Sequence, residues 1–134
     1  MGIIERAATV WWVTFAGLVV VALAWRYLGG PTFFIEPNWW NRNYPVPRVA
    51  WSGQNFATYE PVTIEKNVGG TWTPEFPNVP LRANIWGFAE HITPPSTQTG
   101  AELGLQLGVY EYRMRGLESG KIAYNTVTVS NEFR

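Results

Sequence analysis

The sequence contains no cysteine, so no disulfide frames its fold and no thiol marks its redox compartment. It also contains no aspartate: all ten acidic residues are glutamate, which removes the usual Asp-rich calcium loops. A single histidine, His91, excludes any metal centre built on several imidazoles. Charge is scarce and balanced, ten basic residues against ten acidic, for a formal net charge of zero. A neutral chain without a polybasic segment is poorly suited to holding phosphate backbones, so nucleic acid is not expected as a partner. The abundance lies in aromatics, with eight Trp, seven Phe and six Tyr. Large aromatic side chains suit protein contacts, membrane interfaces and sugar platforms.

The run Ala7 to Trp25 carries no charge and is flanked by Arg6 and Arg26. As one continuous helix it would extend roughly 28 Å, close to the hydrocarbon thickness of a bilayer. Trp11 and Trp12 lie near one end and Trp25 and Tyr27 at the other, as membrane-interface anchors would. The run is longer than a signal-peptide core, although "ALA" at 22–24 has the form of a cleavage site. The expectation is therefore a single transmembrane anchor over residues 1–28, with the C-terminal domain exported to the periplasm or cell exterior. Lys/Arg counts at the two flanks lean slightly the other way.

Residues 29–48 read "GGPTFFIEPNWWNRNYPVPR". Four prolines forbid a long helix and favour extended backbone. A solvated linker would be rich in Gly and Ser and poor in aromatics. This segment is expected to be a tether lying against something, with Phe33, Phe34, Trp39, Trp40 and Tyr44 as candidate contacts to a partner subunit.

From about residue 49 to 134 the pattern is that of β-structure. "PVTIEK" alternates and leads through "NVGG" to "TWT", a hairpin signature. Gly87 interrupts "LRANIWGFAEHI" as a bulge would, and "TPPSTQTG" reads as a loop. In "GVYEYRMRG", Tyr110, Tyr112 and Met114 share one face, and Glu111, Arg113 and Arg115 the other. "YNTVTVS" returns with Val127 and Val129 on one face. The expected fold is mainly β: one N-terminal transmembrane helix followed by an antiparallel sandwich.

"GVYEYRMRG…YNTVTVS" resembles the last two strands of a bacterial fibronectin type III domain, and "VTIEKNVGGTWT" is similar to that family's middle hairpin. The resemblance spans roughly residues 46–130. It implies an Ig-like sandwich in which Tyr112 is the corner tyrosine and Trp72, Val127 and Val129 are fold-defining. "PEFPNVPLRANIWGFAEHITPPS" is longer and richer in Pro than the family pattern between its middle strands.

No catalytic constellation emerges, and neither a metal nor a cofactor site is expected. Glu90 beside His91 would point to the opposite face of a strand, so the two do not form a dyad. Trp51, Trp72 and Trp86 could make a sugar platform, but Trp72 and Trp86 are expected to fill the core, so carbohydrate is not expected as a partner. The function expected is a non-catalytic accessory or scaffolding subunit of a multi-subunit membrane complex of photosynthetic or respiratory type. Its partners would be integral membrane subunits and the lipid bilayer, with Ala7, Ala8, Ala16 and Gly17 allowing close helix packing. The alternatives are a structural or spike protein of a membrane-containing phage, and a membrane-anchored adhesion or sugar-binding module.

Overall fold

The computed structural model describes residues 14–21 and 29–132. Within it, β1 (Thr32–Glu36), β3 (Val49–Gln54) and β7 (Ala89–Thr93) form a three-stranded antiparallel sheet in the order β1-β3-β7. The second sheet runs β2-β9-β8-β4-β5, from β2 (Trp39–Asn41), β9 (Ile122–Ser130), β8 (Gly108–Gly116), β4 (Pro61–Val68) and β5 (Thr71–Pro74). The short β6 (Leu81–Arg82) pairs with the start of β4. Both sheets contribute to one buried cluster, an arrangement compatible with a β-sandwich.

Period-2 alternation explains the layers. On β8, Tyr112 and Met114 are buried while Arg113 and Arg115 lie outward; on β9, Val127 and Val129 are buried beside them. The centre of the cluster is Trp51 on β3. Its ring meets Phe33 at 6.4 Å, Trp40 at 6.4 Å, Phe76 at 5.3 Å and Tyr112 at 5.0 Å between centroids.

Three sequence expectations are corrected here. No helix among the described residues is long and apolar enough to cross a membrane. Residues 14–21 are helical, an extent of roughly 12 Å against about 30 Å of hydrocarbon. The transmembrane helix, the single-pass membrane localisation and the export of the domain that depended on it are therefore not supported. The interface anchors expected at Trp11, Trp12, Trp25 and Tyr27 lie outside the described residues.

Second, residues 29–48 are not a tether. Residues 32–36 form β1 along β3, and 39–41 form β2 along β9. The prolines were the misleading signal. Pro31 precedes β1, Pro37 falls between β1 and β2 where the chain changes sheets, and Pro45 and Pro47 lie between β2 and β3. Each sits where no interior ladder bond is required. Third, the sheets are not wholly antiparallel, because β2 pairs with β9 in parallel register, Trp40 opposite Val129.

The bond from a tyrosine hydroxyl back to upstream backbone, expected of Tyr112, is made by Tyr110. The Tyr110 hydroxyl accepts from the Gln106 N–H at 2.8 Å and donates to the Gln106 carbonyl at 2.9 Å, tying the start of β8 to its own approach loop. Tyr112 instead lies in the core, where burial, together with Glu75 and Tyr110 nearby, pushes its hydroxyl well above the usual tyrosine range. Tyr110→Phe is accordingly expected to cost about 1–2 kcal/mol in chemical denaturation. Tyr112→Phe, which leaves the ring stack intact, is expected to change stability by less than about 0.5 kcal/mol.

Candidate functional site

Strand direction gathers four parts of the chain at one end of the domain. Thr32 opposes Gln54 and Ala89 opposes Gly53, so the entry to β1, the β3–β4 loop (55–60) and the β6–β7 loop (83–88) meet there. Val62 opposes Gly116 and Ile122 opposes Arg115, which brings the β8–β9 turn (117–121) to the same end.

Hydrogen bonds fix this end. Asn84 accepts on its Oδ1 from the backbone N–H of Trp86 at 2.9 Å and of Phe88 at 3.0 Å. The Gly87 N–H donates to the Asn84 carbonyl, and the Gly87 carbonyl accepts from the Phe56 N–H, both at 3.0 Å. Thr58 Oγ1 donates to the Ile85 carbonyl at 3.0 Å, and the Tyr59 N–H to the Asn84 carbonyl at 3.2 Å. Gly87 has a φ of +75°, and a Cβ there would come within 2.2 Å of the Phe56 carbonyl oxygen. Only glycine satisfies both conditions.

The adjoining turn is pinned by a carboxylate. Glu60 is wholly buried, yet it accepts from the N–H groups of Ala57, Glu118 and Ser119 and from the Ser119 hydroxyl. Burial works against its ionisation, but these donors outweigh it and hold the carboxyl below the ordinary range. Gly116 is part of the same arrangement, since a Cβ would stand 2.3 Å from Glu60 Oε1. Lys121 Nζ adds a bond to the Asn55 carbonyl at 2.9 Å, and Asn55 Nδ2 bonds the Gly29 carbonyl at 2.6 Å, where the chain enters the domain.

On this fixed frame three large apolar side chains face solvent: Trp86 at 75% exposure, Tyr59 at 55% and Ile85 at 50%. Leu117 on the β8–β9 turn is exposed as well. The arrangement offers exposed apolar anchors at low conformational cost. Among the described residues no group of three or more His, Cys, Asp or Glu comes together to hold a metal.

The residues singled out from sequence scatter. Phe33 and Trp40 are buried core, whereas Phe34 and Tyr44 are exposed and Trp39 is partly so. Val127, Val129 and Tyr112 are core. Trp72 is not: it lies partly exposed on the outer face of β5 with the Arg113 guanidinium 4.4 Å from its ring centroid. Trp86 is likewise on the surface, and Trp51 fills the core in place of both. His91 packs its ring against Phe76 at 4.6 Å, with Glu90 exposed on the other face of β7. Sequence reasoning missed Tyr59, Ile85 and Glu60. The signal for Ile85 was "NIWG", an Asn–Gly turn frame around two bulky apolar residues that neither alternate nor repeat; Tyr59 and Glu60 carried none.

Because the Glu60 carboxyl is held below its ordinary value of 4.5, its contribution to stability is complete above that pH and is lost as pH falls through the lower folded-state value. Glu60→Gln should cost on the order of 3 kcal/mol at neutral pH, since several buried N–H groups lose a charged acceptor. In urea titrations from pH 7 down to pH 3, the gap between the native protein and this variant should narrow. Gly87→Ala should lower the melting temperature and raise amide exchange across 84–88, because it strains φ and meets the Phe56 carbonyl.

A scan against protein-family models finds no match to this chain, and a search of curated proteins finds none either.

Proposed function

We propose that this chain is a non-catalytic accessory or scaffolding subunit, and that its fibronectin type III-like domain holds a partner protein at the loop end formed by 55–60, 83–88 and 117–121. The observation that carries this reading is the exposure of Trp86, Tyr59 and Ile85 on backbone that Asn84, Gly87 and Phe56 tie together by hydrogen bonds and that is left-handed at Tyr59 and Gly87. Solvent-exposed aromatics on a strained, rigid loop are costly for an isolated domain and favourable for a protein interface. They need little ordering when a partner closes over them. A second apolar surface supports the same reading: Phe15, Leu18, Val20 and Val21 are all exposed on the helical residues 14–21.

The family assignment draws its support from strand order. The orders β1-β3-β7 and β9-β8-β4 match the A-B-E and G-F-C orders of an Ig-type sandwich, which supports the reading. Tyr110, at the start of β8, makes the bond back to upstream backbone that a corner tyrosine makes. The long Pro-rich passage 74–82 departs from the pattern, leaving the edge of the second sheet and returning only as the two-residue β6.

The test is purification of the full chain from its native source under mild conditions. Stoichiometric partner subunits are expected to accompany it. Ile85→Ser with Trp86→Ser should release them while the melting temperature of the free protein moves by no more than about 4 °C, as surface changes do. Recovery of the chain alone, or a complex indifferent to both changes, would defeat the scaffolding reading.

A further inference from the structure

We infer that the outer face of the second sheet, around Trp72 and Tyr124, is a binding site for a neutral oligosaccharide. This site is separate from the loop end and does not depend on the function proposed above. The sequence argued against carbohydrate because Trp72 was expected in the core; the structure places it on the surface.

The pairing register builds the face. Asn67 opposes Trp72, Glu65 opposes Arg113, Arg113 opposes Tyr124, and Glu111 opposes Thr126, so these side chains share the outward side of β5, β4, β8 and β9. Trp72 and Tyr124 stand 5.7 Å apart between ring centroids and are tilted by 56°, forming two walls of an open cavity of about 350 Å³. Glu111, Tyr112, Asn125 and Thr126 complete its lining. That volume is at the lower end of small-ligand pockets, about 300–1,000 Å³, and suits a short run of sugar rings.

The walls are held before any ligand arrives. The Arg113 guanidinium lies 4.4 Å from the Trp72 centroid, and Arg113 Nε donates to Glu65 Oε1 at 2.8 Å. Arg115 donates to the same oxygen at 3.1 Å. Burial opposes ionisation of Glu65, but the two arginines prevail and keep it charged. Trp72 therefore rests on a cation that is itself tied down, which limits the ordering cost of stacking a ring against it.

Charge selects the ligand class. Arg113 and Arg115 are balanced by Glu65 and Glu111, so the face offers no net attraction to a cation or an anion. Aromatic faces and hydrogen-bonding edges remain. Glu111 takes the Asn67 amide on Oε2 at 3.0 Å, and its other oxygen has no partner among the described residues. Thr126 adds a hydroxyl at the rim. A pyranose matches this set, with an apolar C–H face for the rings and equatorial hydroxyls for the acceptors. A proline-rich peptide would also stack on aromatics, but it offers few donors to Glu111.

The full chain would be titrated calorimetrically with cellohexaose, xylohexaose and chitohexaose, with polygalacturonate and deca-proline as competitors. At least one neutral hexasaccharide is expected to bind. Trp72→Ala and Tyr124→Ala should each weaken that binding roughly tenfold, the value of one lost stacking contact. Trp72→Tyr should restore most of it, which separates stacking from a fold defect, and Trp86→Ser should leave it unchanged. Failure of all three sugars to bind would overturn the inference. So would binding that survives both alanine variants, stronger binding of the acidic polymer, or binding of deca-proline alone. The loop-end reading is tested by partner release and stands or falls separately.

Discussion

The burial of Trp51 is the constraint on which the rest of this domain depends. It sits on the central strand of the smaller sheet, and its ring neighbours come from β1, β2, β8 and the segment leaving β5. Edge-on contacts with Trp40, Phe76 and Tyr112 fix the separation of the two sheets, because aromatic pairs tolerate few geometries at these distances. Once that separation is set, small residues become obligatory elsewhere. A Cβ on Gly53 would stand 2.2 Å from Met114 Sδ, so the β3 backbone can approach the opposite sheet only without a side chain there. The core is thus a balance between one very large residue and one with none, two positions apart on the same face.

Much of the β-domain was legible. The alternation of "GVYEYRMRG" and "YNTVTVS" identified β8 and β9 and their buried faces, because in a half-buried antiparallel pair the period of the side chains is the period of the fold. The turn chemistry of "NVGG" identified the β4–β5 hairpin. What failed was any inference that needed partners distant in sequence. Phe33, Ile35 and Trp40 look like loose apolar residues among prolines until β3 and β9 are placed beside them, some 16 to 90 residues away by register. Local composition cannot distinguish an aromatic awaiting an external surface from one awaiting its own sheet.

The tryptophans make the same point. Trp51, Trp72 and Trp86 are indistinguishable by type, yet one is core, one is stacked on a guanidinium and one faces solvent. Their fates follow strand phase: Trp51 shares the inward side with Val49, whereas Trp72 pairs with Asn67 on the outward side. Phase depends on register, and register depends on a turn being read correctly. The candidate loop site was hidden for a different reason. Its order comes from side chains capping backbone, such as Asn84 and Glu60, and these leave no periodic trace.

The parallel pairing of β2 with β9 has a consequence for how the protein is made. Trp40 lies opposite Val129, so one of the first strands of the domain is seated by one of the last. During synthesis β1 can find β3 soon after both emerge, but β2 must wait for nearly the whole domain to leave the ribosome. Closure of such a long loop is slow relative to local pairing. Until it happens, an aromatic pair is left beside an unfinished sheet. The interval between emergence of β2 and arrival of β9 is therefore the time at which a nascent chain of this design most needs a chaperone, or a partner already waiting.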